Sequence, residues 1–195
     1  MKLINYFELC LRCILLLTAI YHLYKKQYKI MWTPVLIFGL SFLPLLLHKL
    51  IALNVDSLSI MLYDIILFMA LYLGTSLGLY ERYKWWDRSI HFLSGAAFTG
   101  FGIAVIRLNP TTIRWLILLF GFTFSATIHV FWEILEYISD CIFHGDAQRW
   151  QKVSKSNNHV SEKAIQPAGL VDTMSDFICC ICGSALSVVF WWLTL

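Results

Sequence analysis

The chain is short of charge. Only 14% of its 195 residues are Asp, Glu, Lys or Arg, against about 25% in an ordinary soluble domain. So few charges cannot cover a water-exposed surface, and with 59% hydrophobic residues the composition is that of a membrane protein. There is no internal repeat and no low-complexity tract. The net charge of +3 is small and scattered, so there is no basic face for nucleic acid. Disulfide scaffolding is also excluded. Of the six cysteines, Cys10, Cys13, Cys179, Cys180 and Cys182 lie inside apolar runs and only Cys141 does not. Such cysteines read as small core residues of helices. The N-terminus lacks a small-x-small cleavage site before Tyr21 and His22, and Glu8 and Arg12 interrupt its apolar run. It reads as a retained first span, not a signal peptide.

What is present in quantity is long apolar stretches. A helix needs about 20 apolar residues to cross the hydrocarbon, and six stretches qualify, at approximately 3–24, 30–48, 58–80, 89–107, 113–139 and 173–194. The expected fold is all-α: one polytopic bundle of about six transmembrane helices. Pro34 and Pro44 fall in the second span, where bundle partners can satisfy the freed carbonyls. Gly74-x-x-x-Gly78 in the third allows close helix approach. A polar connection, 141–171, separates the last two spans, and Pro167 breaks any helix there.

The connections carry a charge asymmetry. Lys25, Lys26, Lys29, Arg82, Lys84, Arg88, Arg149, Lys152, Lys155 and Lys163 all fall on one side; Lys2, Arg12, Lys49, Arg107 and Arg114 fall on the other or within a span. The positive-inside rule places the richer side in the cytoplasm and both termini outside.

Against this greasy background, the segment HVFWEILEYISD (129–140) keeps one imidazole and three carboxylates. At about 100° per residue, Glu133, Glu136 and Asp140 lie at about +40°, −20° and +20° from His129, so all four share one stripe about 16 Å long. A charge deep in a span costs about 2.5–3.5 kcal/mol on insertion scales and is rare without a partner. Asp87 and His91 at the start of the fourth span, and Asp172 and Asp176 at the start of the sixth, repeat an i, i+4 spacing. All three groups fall on the same membrane side and can converge.

Packed together, so many acids would repel one another, and a bound cation offsets that. Imidazole with carboxylate suits zinc, iron or manganese better than calcium. The candidate ligands of a divalent metal are Asp87, His91, His129, Glu133, Glu136, Asp140, Asp172 and Asp176, with Glu133 or Glu136 as a general base. Arg82, Lys84 and Arg88 stand beside them, interleaved with Tyr80, Tyr83, Trp85 and Trp86, and suit an anionic lipid headgroup. Plainer roles compete: Asp140 and Asp172 as solvated helix ends, Asp87 paired with Arg82 or Arg88, and the histidines as satisfied core residues. Asp64 lies near the opposite interface and reads as unrelated.

WDRSIHFLSG, FWEILEYISD, Gln148, and GLVDTMSDF followed by Gly183 resemble the YjdF-type family of bacterial inner-membrane proteins over about residues 60–190. More loosely, Asp-x-x-x-His near a span start and a late Asp followed by Gly are similar to VanZ-like membrane proteins. The resemblance implies a small polytopic protein of the bacterial inner membrane. It also implies that Asp87, His91, Trp132, Glu133, Glu136, Asp140, Asp172 and Asp176 are signature positions, without assigning them chemistry. Three functions stay open: a metal-dependent hydrolase of a lipid or lipid-linked phosphate, a small proton- or cation-coupled transporter, and a non-catalytic accessory protein.

Overall fold

A computed structural model describes residues 2–109, 111–143 and 168–194, with side chains placed for 6–109, 111–143 and 169–194. Every regular element among them is helical: α1 (Lys2–Tyr24), α2 (Tyr28–Leu40), α3 (Leu43–Ile51), α4 (Ser57–Leu67) continued by a π-helical segment (Phe68–Ser76), α5 (Leu79–Arg82), α6 (Trp85–Ile106), α7 (Arg114–Phe143) and α8 (Ala168–Thr194). Six stretches are long and apolar enough to cross a membrane: Tyr6–Tyr24, Tyr28–Ile51, Ser57–Ser76, Trp85–Ile106, Arg114–Phe143 and Gly169–Thr194. The protein is a polytopic helical membrane bundle. Alternation along the chain puts the 24–28, 76–85 and 143–168 connections at one end (the loop end). The loops at 51–57 and 106–114 share the other end with the first residues of α1 and the last of α8, and we call it the terminal end.

The second span is one crossing made of two helices. Pro44 cannot donate to the carbonyl of Leu40, and the chain breaks between α2 and α3. The bundle supplies the missing donors. Tyr63 Oη donates to Leu40 O at 3.1 Å. Arg12 donates to Ser41 O at 2.9 Å and, through Nε, to Ser41 Oγ at 3.1 Å. This explains a guanidinium inside the first span. It is paired with Glu8 at 2.9 Å, stacked over Phe42 at 4.1 Å, and spent on a helix break.

The third span ends at Ser76 and not at residue 80. Gly78 lies beyond it in the left-handed region, with φ +73, a conformation that glycine adopts at little cost. Gly74-x-x-x-Gly78 is therefore no helix-packing stripe. Gly74 instead leaves room for the ring of Tyr80. The last turns of this span widen to π-helix, and Ser76 and Thr75 hydroxyls donate to carbonyls five residues back, at 3.2 Å each. The polar connection is shorter than the expected 141–171, because α7 continues through Phe143 and α8 starts at Ala168. Gln148 and the four basic residues from Arg149 to Lys163 lie outside the described residues.

α6 is the central element. Of its most apolar stretch 61% is buried, against 17–28% in the other five spans. It packs on α7 and α8 along a seam of small side chains, and α4 covers another of its faces. At Gly95 a Cβ would run into the backbone carbonyl of Cys180, and at Gly183 into that of Phe92. These two glycines bring α6 and α8 together as small residues do between membrane helices. The cysteines only partly fit their expected role. All six are free, and Cys180 alone is fully buried; Cys179 is half-buried and the other four face outward. α1 and α2 form a second apolar cluster with the π-helical segment around Leu11, Leu15 and Ile37.

Candidate metal centre at the loop end

The three expected stripes do converge at the loop end, but not on one point. On α6, Asp87 stands in the first turn and His91 one turn later, with His91 Nε2 3.6 Å from Asp87 Oδ1. On α8, Asp176 projects from the third turn. Because Gly95 and Gly183 pull these two helices together, one ligand atom each from Asp87, His91 and Asp176 lies within 4.8 Å of the others. His91 and Asp176 are buried and Asp87 half-buried. One imidazole nitrogen and two carboxylate oxygens suit zinc, iron or manganese.

Five of the eight expected ligands fall outside this triad. His129, expected among the ligands, stands outside the triad and is engaged elsewhere. Its Nδ1 meets Ser125 O at 3.0 Å and its Nε2 meets Ser94 Oγ at 2.7 Å, so neither ring nitrogen is available. It lies over the triad all the same, its ring centroid 5.5 Å from that of His91. Glu133 is one turn closer to the loop end, only 6% exposed. It is hydrogen-bonded to Thr173 of α8, and Asp87 and Asp172 are the charges that act on it. Glu136 is half-buried and accepts from Trp132 Nε1 at 2.6 Å. Asp140 and Asp172 are half-buried towards the helix ends.

Two features stand out electrostatically. Asp176 lies in the field of four other carboxylates, Asp87, Asp172, Glu133 and Glu136. Moreover, Asp176 Oδ1 and Glu133 Oε1 are buried without a hydrogen-bond partner among the described residues. Buried polar atoms are ordinarily paired, so these two oxygens are missing a donor or a cation. Arg82, Lys84 and Arg88 are all exposed at the same end. Arg88 reaches far enough towards α8 to act on Cys179.

Sequence reasoning missed the floor beneath the triad. Ser125 and Ser184 are each hydrogen-bonded to Gly95 O, at 2.9 and 3.1 Å, and to one another at 3.0 Å. The signal was available: SGAAFTGFG, residues 94–102, is a run of small residues in a span, and such runs mark close packing.

A family model described as predicted membrane protein (DUF2238) matches residues 7–195. The chain belongs to this family. The match agrees with the YjdF-type resemblance read from the motifs, and extends it to the two N-terminal spans. The looser likeness to VanZ-like proteins has no support in it. No curated protein and no solved structure matches the chain. Membership of DUF2238 thus brings a membrane location and no assigned chemistry, and the function has to be argued from the site.

Proposed function

We propose that the protein binds a divalent metal between Asp87, His91 and Asp176 and uses it to hydrolyse a lipid or a lipid-linked phosphate at the loop end. The observation that carries this reading is the pair of orphaned oxygens, Asp176 Oδ1 and Glu133 Oε1, buried beside a three-residue donor set. A dication there gives Asp176 a partner and offsets the crowded negative charge. Zinc, iron and manganese are the metals whose preferences match the donors. Such an ion supplies an activated water.

The chain's own residues then divide the work. Glu133, outside the triad but deeply placed, takes the proton of the attacking water. Glu136 is less suited, since one of its oxygens already holds the Trp132 indole. Arg82, Lys84 and Arg88 hold the phosphate of a substrate approaching from the membrane surface. The water oxygen bonds to phosphorus as the phosphorus–oxygen bond to the leaving group breaks, and Glu133 passes the proton it took to the leaving oxygen, which departs as an alcohol. In this reading the protein sits in a bacterial inner membrane with the loop end in the cytoplasm, as the charge bias favours.

Elemental analysis of protein purified without chelators tests the metal. Wild type is expected to carry stoichiometric zinc, iron or manganese, and Asp176→Asn to lose it. Wild-type protein that is metal-free, and stays so after dialysis against zinc or manganese, would sink the proposal. A second reading, a cation carrier, is favoured by another buried acid at the opposite end, Asp64. Proton or cation flux in liposomes without any metal content would decide for it.

A further inference from the structure

The seam between α6, α7 and α8 is lined with buried hydroxyls, and one of them differs from the rest. Thr99, Ser125 and Ser184 each donate to the carbonyl of Gly95, at 2.8, 2.9 and 3.1 Å. Ser187 donates to Ala96 O at 3.1 Å. Such bonds give a hydroxyl a partner but no means of losing its proton. Ser94 meets a base instead. Its Oγ lies 2.7 Å from Nε2 of His129, across the contact between α6 and α7. The other ring nitrogen, Nδ1, lies 3.0 Å from Ser125 O. A carbonyl only accepts, so Nδ1 carries the imidazole proton and Nε2 is a bare acceptor. The Ser94 proton is therefore turned to the imidazole, although His91 O also lies 3.0 Å from Oγ.

This is the arrangement of an activated nucleophile: a hydroxyl within hydrogen-bond reach of a base, and the base held in the right tautomer by a third group. Here the third group is a main-chain carbonyl of α7, one turn before His129 itself, so the helix that carries the ring also orients it. The pair is screened from water, Ser94 being 6% and His129 3% exposed. His91 and Phe98 flank the imidazole, with ring centroids 5.5 and 6.1 Å away. Both members of the pair lie well inside spans. A charged phosphate is costly to bring to such a depth, whereas the neutral carbonyl of a carboxylic ester is not. A lipid brings that group with its acyl chains.

We propose that Ser94 is a nucleophile served by His129, which gives the protein a further activity, cleavage of carboxylic esters of lipids through an acyl-Ser94 intermediate. Ser94 Oγ bonds to the ester carbonyl carbon as its proton passes to His129 Nε2. The carbon–oxygen bond to the alcohol breaks, and His129 gives that proton to the departing oxygen. Water then attacks the acyl carbon and yields a proton to His129, and Ser94 Oγ takes the proton back as the fatty acid leaves. No step draws on the metal centre, so this activity stands or falls apart from phosphate-ester hydrolysis. The test is labelling of the full chain in nanodiscs by a fluorophosphonate with a long alkyl chain, which enters the bilayer and bonds to an activated serine with loss of fluoride. Wild type is expected to take up the probe at Ser94, as mapped by peptide mass spectrometry, with or without a chelator. Ser94→Ala should take up none. His129→Asn should react roughly 100-fold more slowly, and Ser184→Ala, which removes a hydroxyl that meets no base, should react as wild type does. The mapped position in wild type and the His129→Asn rate decide the matter if Ser94→Ala folds poorly. The proposal is overturned if wild type is not labelled, if the probe maps to another residue, if His129→Asn reacts at the wild-type rate, or if a chelator abolishes the labelling.

Discussion

His129 and Glu133 are one helical turn apart on the same face of α7, and their surroundings give them different work. The imidazole of His129 is used up: its Nδ1–H donates to the Ser125 carbonyl, and its Nε2 accepts from the hydroxyl of Ser94, one turn along α6 from His91. His129 therefore ties α7 to the turn of α6 that carries His91. Glu133 keeps an oxygen unspent beside the triad. The expected outcome is a clean split. Ser94→Ala strands His129 Nε2 and should lower stability by about 0.6 kcal/mol, and no more than about 1.7, the range measured for hydrogen bonds between membrane helices. It should leave metal content unchanged. His129→Asn should likewise retain metal while melting earlier. Glu133→Gln should retain metal and melt near wild type, but remove any phosphate-ester hydrolysis, because an amide cannot take a proton from water. Loss of metal in His129→Asn would return that residue to the ligand set.

Among the elements, α6 decides whether the triad exists at all. Asp87 and His91 come from α6 and Asp176 from α8, and the separation of these helices is set at two points where each lacks a Cβ. Gly95→Ala and Gly183→Ala put a methyl group against a backbone carbonyl that cannot rotate away, so the helices must part. Overpacking of this kind costs about 1–3 kcal/mol. Both variants are expected to melt below wild type and to bind less metal, since the three ligands no longer close on one point. Gly39→Ala is the control, with nothing within 4 Å of its added Cβ; it should melt as wild type does and keep its metal. The same comparison shows what the sequence could and could not give. The α7 stripe was legible because its four polar residues are fixed to one helix, and 3.6-residue periodicity alone orders them. Which of them would meet α6 and α8 was not, because that depends on the separation and rotation of helices many residues apart. Glycine and serine set both, and hydrophobic periodicity does not register them. Gly74-x-x-x-Gly78 misled for the converse reason: the spacing was right, but Gly78 had already left the helix.

On the scale of the whole molecule, buried polarity gathers at both ends of the bundle, with a glycine- and serine-lined seam between. At the loop end Asp87, His91, Glu133 and Asp176 gather; at the terminal end Glu8 and Arg12 pair and Asp64 is buried. The second group could have been found from sequence. Asp64 interrupts the apolar run SLSIMLYDIILFMA, and Glu8 and Arg12 are an i, i+4 pair in the first span, but no motif joins residues so far apart in the chain. Which end faces the cytoplasm decides what each site can meet. The ten-to-five division of Lys and Arg is the argument for a loop end that faces inside. Arg114 strengthens the argument, because it is no free surface charge: it donates to Trp192 O and lies 4.9 Å from the Trp192 ring centroid. With Arg12 also held within the bundle, fewer basic groups at the terminal end remain to oppose the bias. In a chain whose native cysteines are replaced by serine, Lys155→Cys is expected to resist a membrane-impermeant maleimide in intact cells and to label once the membrane is opened. Asn54→Cys, at an exposed position of the 51–57 loop, should label from outside. The reverse pattern would turn the molecule over. The hydrolytic site would then act on lipid in the outer leaflet.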